Sequence, residues 1–482
     1  MTGAAHSVTL AVEPMDSIQA IAAALHARQI SCVELITERL QLIRQWDPQV
    51  NAFLTLTADA ALEAARVADK ELAAGRDRGP LHGIPIAHKD LFATCGLRTT
   101  GGSLIYKDWV PDHDAAVVNQ LALAGCISLG KLNLHELAYG VTSQNEHFGG
   151  VKNPWDLTRI PGGSSGGSGV AVALGFISCG TGTDTGGSIR IPASYCGVAG
   201  IKPTYGRVSM YGCLPLAHSL DHMGPLARTV RDCALILNAI AGYDERDATT
   251  STMPVEDFLP PAGPQSGPLS LDGLRIGLPT SFYFDRADPE VVAAVHAMAK
   301  VAQEAGATLI DVAVPDVLAL NQATIVVQLA EATHAIDPFS TRGHLLGKAV
   351  TPNVERGKTV SALDYLNAVD TINRFRGEFA ELFKRCDVLL APTTPITAPT
   401  IGAANIVIDG VEEDTRLATT RLMRGANALG LPAASIPSGF SASGMPMGLQ
   451  VMGPVWQEAR VLRVAAAIED RTDFHLRRAK MR

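Results

Sequence analysis

The feature that most constrains this chain is a run of nine small residues, PGGSSGGSG, at residues 161–169. After its proline, the run has no side chain larger than a hydroxymethyl group, so its backbone can approach other segments closely. A flexible linker, a phosphate-binding loop and part of a catalytic site are the competing interpretations. A linker is disfavoured because apolar VAVALG follows at once. A phosphate loop is disfavoured because no lysine of the G-x-x-x-x-G-K-[ST] motif follows.

Two serine motifs also match the sequence by spacing. G-x-S-x-G occurs twice, centred on Ser164 or Ser165, but such a nucleophile elbow needs a buried strand just before it. The preceding VKNPWDLTRIP is polar and contains prolines, which disfavours the elbow. Ser128 and Lys131 form S-x-x-K, but the partner motifs S-D-N and K-T-G are absent from the sequence.

A second glycine-rich segment, TGTDTGGSIR at residues 181–190, indicates an anion-binding turn. FISCGT before it is typical of a strand, and a helix can begin after it because Pro192 falls in the first turn. Backbone N–H groups at such a turn converge and stabilise an anion. Ser188 at its end is then either a nucleophile beside an oxyanion hole or a simple helix cap. The pattern alone leaves both roles open.

A serine nucleophile needs a base, and Lys89 has the more informative context. It ends the apolar segment GIPIAHK, where burial favours the neutral amine. Keeping a lysine neutral at pH 7 costs roughly 4–5 kcal/mol relative to its free pKa. Histidine is the more usual base, but none of the available histidines has an informative context: His82, His88, His135, His147 and His218.

Five segments in order carry a family resemblance: GIPIAHKD, PGGSSGGSG, GTDTGGSIR, GIKPTYGRVS and SLDHMGPLARTVRD. Together with the weaker match LGLPAASIPSGFSASGMPMGLQVMG at residues 429–453, they resemble the amidase signature family. The resemblance implies a Ser–Ser–Lys triad, with Lys89 as the base, Ser164 as the bridging serine and Ser188 as the nucleophile. Ser165 is the competing choice for the bridging position.

The same resemblance implies how the two glycine-rich segments work. The Gly163–Ser164 peptide bond is expected to be cis. The oxyanion hole is expected to use the backbone N–H groups of Thr185, Gly186, Gly187 and Ser188. For Asp184 and Arg190 we favour a salt bridge that braces the loop. No cofactor and no metal are expected.

The hydrophobic pattern predicts an α/β fold in one large domain. Helical and strand-like segments alternate after Lys89, and 47% of the residues are hydrophobic, enough for a large core. The resemblance adds a central mixed, twisted β-sheet covered by helices. We divide the single domain 1–482 into three parts: an N-terminal helical region of about 1–78, a catalytic core of about 79–235 and a remainder of 236–482.

Local patterns make this prediction more specific. Residues 17–75 read as helical, with Ser17 and Ser31 as N-caps. Residues 316–385 also read as mainly helical. Only residues 260–268, PPAGPQSGP, have the composition of a linker, and we interpret them as a surface loop.

Composition disfavours several classes of partner. The net charge is −8 and basic residues are scattered, which disfavours a nucleic-acid partner. The first residues lack a signal-peptide pattern, and the longest apolar stretch, around 169–179, is too short for a bilayer. Eight dispersed cysteines predict a reduced, cytoplasmic protein. Similar enzymes often form homodimers, which makes a homodimer a possibility here.

We therefore predict a free-standing amidase that hydrolyses a small-molecule carboxylic amide through an acyl-enzyme. One alternative is the glutamine-hydrolysing component of a tRNA-dependent amidotransferase. HELAYGVTSQNEHFGG at 135–150 and TTRLMRGANALGLPA at 419–433 depart from the text typical of that component. Another alternative is a ureide or carbamate hydrolase. By analogy, residues 135–150 and 316–425 line the pocket, and neither stretch has the pattern of a carboxylate clamp.

Overall fold

The computed structural model describes residues 17–260 and 268–481, so residues 261–267 of the predicted surface loop and the first residues of the chain lie outside it. Within these residues the chain forms fourteen α-helices: α1 (Ile18–His26), α2 (Cys32–Val50), α3 (Ala58–Ala73), α4 (Ala116–Leu123), α5 (Gly166–Ala173), α6 (Arg190–Cys196), α7 (Val230–Ile240), α8 (Pro289–Glu304), α9 (Val317–Ile336), α10 (Thr351–Gly357), α11 (Ala362–Leu382), α12 (Thr415–Thr420), α13 (Arg424–Ala428) and α14 (Glu458–Glu469).

Thirteen strands lie in the same described ranges: β1 (Phe53–Leu56), β2 (Pro85–Lys89), β3 (Ile127–Leu132), β4 (Cys179–Thr183), β5 (Ala199–Lys202), β6 (Met223–Ala227), β7 (Arg275–Pro279), β8 (Thr308–Val312), β9 (Val388–Pro392), β10 (Asn405–Ile408), β11 (Val411–Asp414), β12 (Ala433–Phe440) and β13 (Pro446–Met452). Eleven of them form one sheet in the order β1-β3-β2-β4-β6-β5-β12-β13-β9-β7-β8, and β10 and β11 form a separate hairpin.

The large sheet is mixed, as the family resemblance implies. β2 runs parallel to β3 and β4, and β7 runs parallel to β8 and β9. The strands between these two groups pair antiparallel. All three predicted stretches of the chain contribute strands to this sheet, and helices pack against it around a shared apolar core. The prediction of one α/β domain with a mixed sheet covered by helices is confirmed.

The N-terminal region follows the predicted helix signals, with one difference. The hydroxyls of Ser17 and Ser31 accept N–H bonds from the first turns of α1 and α2, so both predicted N-caps are confirmed. Phe53–Leu56, inside the stretch read as helical, instead forms β1 and pairs with β3 at the sheet edge. Asn51, in the left-handed region at φ 57°, ends α2 and turns the chain into this strand.

Two neighbouring strands bring the predicted site residues to the same end of the sheet. β2 and β4 are parallel partners, with Ile86 opposite Cys179 and Ala87 opposite Gly180. Their carboxyl ends, Lys89 and Thr183, therefore meet at one edge, where open α/β sheets commonly bind ligands. The glycine-rich turn leads from β4 into α6, so Ser188 also lies at this edge.

Candidate active site

The Lys89 side chain is fully buried and its amine contacts two hydroxyl groups. Nζ lies 2.7 Å from Ser164 Oγ and 2.7 Å from Thr183 Oγ1. Lys89 also donates its backbone N–H to Thr181 Oγ1 at 3.1 Å, which fixes the end of β2 against β4. Burial lowers the pKa of Lys89 to about 7, although nearby acidic groups such as Asp221 raise it. A large fraction of the amines is therefore neutral at physiological pH and able to accept a proton.

Ser164, rather than Ser165, is the serine on Lys89. The Gly163–Ser164 peptide is cis, and the Ser164 carbonyl accepts the His135 N–H at 3.1 Å. The Ser165 hydroxyl instead donates to the Thr183 carbonyl at 3.3 Å. The two neighbouring serines therefore point their hydroxyls at different partners, and only Ser164 contacts the amine.

Close packing explains the small residues of the PGGSSGGSG run. A Cβ added at Gly163 would lie 2.8 Å from Ser143 Oγ and 2.9 Å from the Ser143 nitrogen. A Cβ at Gly166 would lie 2.6 Å from Ser143 Cβ. The Ser143 hydroxyl also accepts the Gly166 N–H at 3.1 Å. The run is therefore a tightly packed part of the site, which excludes the linker interpretation.

The loop between β4 and α6 is organised around the Asp184 carboxylate. Oδ1 accepts the Gly187 N–H at 2.8 Å, and Oδ2 accepts the Ile189 N–H at 3.1 Å. The N–H of Gly187 is therefore already used. This corrects the expectation that Gly187 contributes a donor to the oxyanion hole.

Three other N–H groups of this loop stay open. Those of Thr185, Gly186 and Ser188 donate to no acceptor within residues 17–260 and 268–481. Gly186 and Ser188 line a cavity together with Thr185, whose hydroxyl donates to Asp221 at 2.5 Å. These donors converge where an anion formed next to Ser188 would sit.

Arg190 braces the loop from the other side. Its Nε and Nη2 form a bidentate pair with Asp184 at 3.0 and 2.9 Å, and both side chains are fully buried. Nη2 also donates to Asn427 at 2.6 Å and Nη1 to Gln450 at 2.6 Å. Burial alone would raise the pKa of Asp184, but the charge of Arg190 and these hydrogen bonds hold it well below its usual value.

Ser188 lines the cavity with 6% of its surface exposed. Its carbonyl accepts the Ser165 N–H at 3.2 Å, which ties the two glycine-rich segments together. Its hydroxyl makes no hydrogen bond within the part of the chain that the structure describes.

The histidines do not supply a rival base for this serine. Burial lowers the pKa of His135 to about 4, and the charge of Lys89 lowers it further. Burial likewise lowers the pKa of His88 to about 3. His218 is exposed at the surface, with its carbonyl bound by the Tyr205 hydroxyl. No histidine within the described ranges hydrogen-bonds to Ser188.

The two competing serine motifs do not form. The residues before Ser164 make turns and isolated bridges rather than the buried strand that an elbow requires. The amine of Lys131 donates to the Phe92 carbonyl and, at 2.8 Å, to Thr99 Oγ1, so it is held away from Ser128 by other partners.

Sequence reasoning missed several residues that hold the site together. Thr183 and Asp221 lie inside the quoted segments GTDTGGSIR and SLDHMGPLARTVRD, so the motifs contained the signal. Asn427 and Gln450 lie more than 200 residues beyond Arg190, and no local pattern connects them to it.

Two negative observations complete the site. No group of three or more His, Cys, Asp or Glu side chains among the described residues is arranged to hold a metal ion. Of the helices in these same ranges, none combines the length and apolar character needed to cross a membrane.

Comparison with known proteins gives consistent matches along the chain. The family model described as Amidase matches residues 34–462. The A component of the glutamyl-tRNA(Gln) amidotransferase of Aromatoleum aromaticum is 41% identical, covering 96% of this chain and 98% of that protein. A structure described as a vestigial protein complex that reveals the evolutionary origins of an s-triazine catabolic enzyme matches at TM-score 0.90 and 34% identity, covering 96% and 100% of the two chains. A crystal structure of an amidase matches at TM-score 0.85 and 32% identity, covering 94% and 99%.

The buried ion pair gives a direct test of the loop's support. We expect Asp184→Asn to lower the free energy of unfolding by about 3–5 kcal/mol, because it leaves the buried Arg190 charge uncompensated. Urea denaturation measures this change. Glu63→Gln is the matched control, since Glu63 pairs with Arg66 at the surface and exposed pairs contribute less than about 1 kcal/mol. Equal stability of the two variants would contradict the bracing role.

Proposed function

The chain belongs to the amidase family, and we propose that it uses Ser188, Ser164 and Lys89 to hydrolyse a carboxylic amide. Activity on amide C–N bonds follows from the family and from its relatives. The observation that carries the residue roles is the buried contact of 2.7 Å between Lys89 Nζ and Ser164 Oγ beside the Ser188 loop. It pairs a neutral amine with a hydroxyl that can relay a proton.

The reaction would proceed in two matched halves. Ser188 Oγ adds to the amide carbonyl, and its proton passes through the Ser164 hydroxyl to Lys89 Nζ. The C–N bond then breaks as the same relay returns a proton to the leaving nitrogen. Water adds to the acyl-enzyme by the same route and releases the acid.

The open N–H groups of Thr185, Gly186 and Ser188 would stabilise the oxyanion formed in each half. Removing one donor of this kind from a serine hydrolase costs about 2.7–4 kcal/mol of transition-state stabilisation. Asp221 holds Thr185, and Asp184 holds the Gly187 end of the loop, so the donors are oriented before substrate binds.

The nucleophile can be identified directly. We expect Ser188→Ala to lose turnover while keeping its thermal stability, because the residue lines a cavity and its hydroxyl has no partner to lose. With a slow amide substrate, mass spectrometry of wild-type digests should find the acyl adduct on the peptide that contains Ser188. An adduct on Ser164 or Ser165 would refute the assignment.

The base can be identified from the pH dependence of kcat/KM. The lowered pKa keeps Lys89 neutral above about 7, so activity should fall as the pH drops below that value. Lys89→Ala should lose about a hundredfold to ten-thousandfold, and Lys89→Arg should be nearly as inactive because guanidinium stays charged.

His218→Ala is the control for this profile and should keep the acid limb. An acid limb that disappears in His135→Gln, or near-normal activity of Lys89→Arg, would contradict the base assignment.

A second candidate has the support of the curated relatives. They are named as the A component of glutamyl-tRNA(Gln) amidotransferase, and their 40–41% identity over 95–96% of this chain favours the alternative that ranked second in the sequence analysis. In that setting, Ser188 would release ammonia from glutamine within a complex. The likeness to the amidase structure supports the free-standing setting, as do the sequence departures at 135–150 and 419–433.

Activity of the purified chain separates the two settings. Because the site described above is complete within one chain, we expect this chain alone, as a monomer or homodimer by light scattering, to release ammonia from small amides. Activity that appears only with glutamine, further protein components and charged tRNA would establish the second candidate instead.

Cysteine chemistry supports a cytoplasmic location as part of this proposal. All eight cysteines are free, and most are buried in the core. Free thiols are typical of a reducing compartment.

A further inference from the structure

The cavity over Ser188 contains two arginines that the triad does not use. Arg416 and Arg424 line it together with Ser188, Gly186 and Tyr139. The cavity is narrow, with a volume of about 30 Å³, roughly the share of one water molecule in the liquid. A substrate bound at Ser188 therefore comes close to the arginines that line the same space.

Arg424 is buried without a counter-charge. It begins α13 and is only 5% exposed, yet its Nε has no hydrogen-bond partner. Its Cγ lies 3.6 Å from the position that a Cβ on Gly186 would take, so the side chain runs beside the oxyanion loop. Within the described ranges neither Arg424 nor Arg416 forms an ion pair. A buried guanidinium left in this state is costly.

The surrounding groups fit a bound anion. The Tyr139 hydroxyl is buried and also unpartnered, and burial raises the pKa of Tyr139 to about 12, so it stays a neutral donor. Burial and the charge of Arg416 lower the pKa of Arg424 to about 9, so it remains cationic at neutral pH. Asp414 acts on Arg424 only through its charge, since its carboxylate caps α12 at the Leu417 N–H.

We propose that this cavity selects amides that carry a carboxylate, and that Arg424 binds the carboxylate with Arg416 and Tyr139 beside it. The proposal rests on hydrolysis at Ser188 and names its substrate class. Planar guanidinium and carboxylate groups match in geometry and charge. It also corrects the expectation from sequence that the pocket stretches contain no carboxylate clamp.

The same cavity disfavours an ammonium group on the substrate. No acidic side chain is present among its described lining residues, so an α-amino group would meet two arginines without a partner. Monoamides of dicarboxylic acids therefore fit better than glutamine, which differs from glutaramate only by that ammonium group.

Calorimetry on Ser188→Ala tests the anion site without turnover. The probes are malonamate, succinamate and glutaramate, each paired with its neutral counterpart propanamide, butanamide or pentanamide. We expect at least one charged amide to bind about tenfold or more tightly than its counterpart. Adding Arg424→Met should remove that preference, and Arg424→Lys should restore part of it.

Two controls keep the result interpretable. Arg66→Met removes an exposed arginine of α3 and should leave the preference unchanged. If Arg424→Met fails to fold by circular dichroism, Tyr139→Phe replaces it, and a reduced preference is again expected.

The outcomes separate this inference from the proposed function. Equal binding of charged and neutral amides, or a preference that survives both substitutions, would overturn the carboxylate site. Tighter binding of glutamine than of glutaramate would overturn the exclusion of the ammonium group. Binding of charged amides without their hydrolysis by wild-type enzyme would instead refute the proposed function and leave the carboxylate site standing.

Discussion

Burying the amine of Lys89 is the constraint on which the rest of the site depends. A lysine at the end of a fully buried strand has no water to hold its charge, and its contacts, Ser164 and Thr183, are hydroxyls rather than carboxylates. The protein therefore stabilises the neutral form. Ser164 must then lie within hydrogen-bond reach of one buried atom, and the PGGSSGGSG backbone must pack against Ser143 to bring it there.

The oxyanion loop depends on a second buried arrangement. Asp184 uses its two carboxylate oxygens to hold Gly187, Ile189 and Arg190, while Arg190 reaches Asn427 and Gln450 from the C-terminal part of the chain. The charges of this cluster are paired with each other. That contrasts with Arg424 a few residues from Asn427, whose Nε is buried nearby without a partner among the described residues. Saturated polar groups are structural here, and the unsaturated one faces the substrate space.

The sequence predicted what local patterns encode and missed what tertiary contacts decide. Ser17 and Ser31 were predictable as caps because a cap bonds residues two or three positions away. Lys89, Ser164 and Ser188 were predictable because each lies in a segment of unusual composition. Gly187 was assigned to the wrong partner because its N–H direction depends on Asp184. Arg424 carries no local signal, since only the fold brings it beside Gly186.

Strand order has a consequence for how this protein matures on the ribosome. β12 and β13, residues 433–452, lie in the middle of the sheet and join β5 to β9. Until they emerge, the two flanks of the sheet have no hydrogen-bonded connection, and Arg190 lacks Gln450. Such non-local pairing delays folding, so a nascent chain that already displays Lys89, Ser164 and Ser188 is still without its finished oxyanion loop. Hydrolysis thus begins only once synthesis has passed the central hairpin.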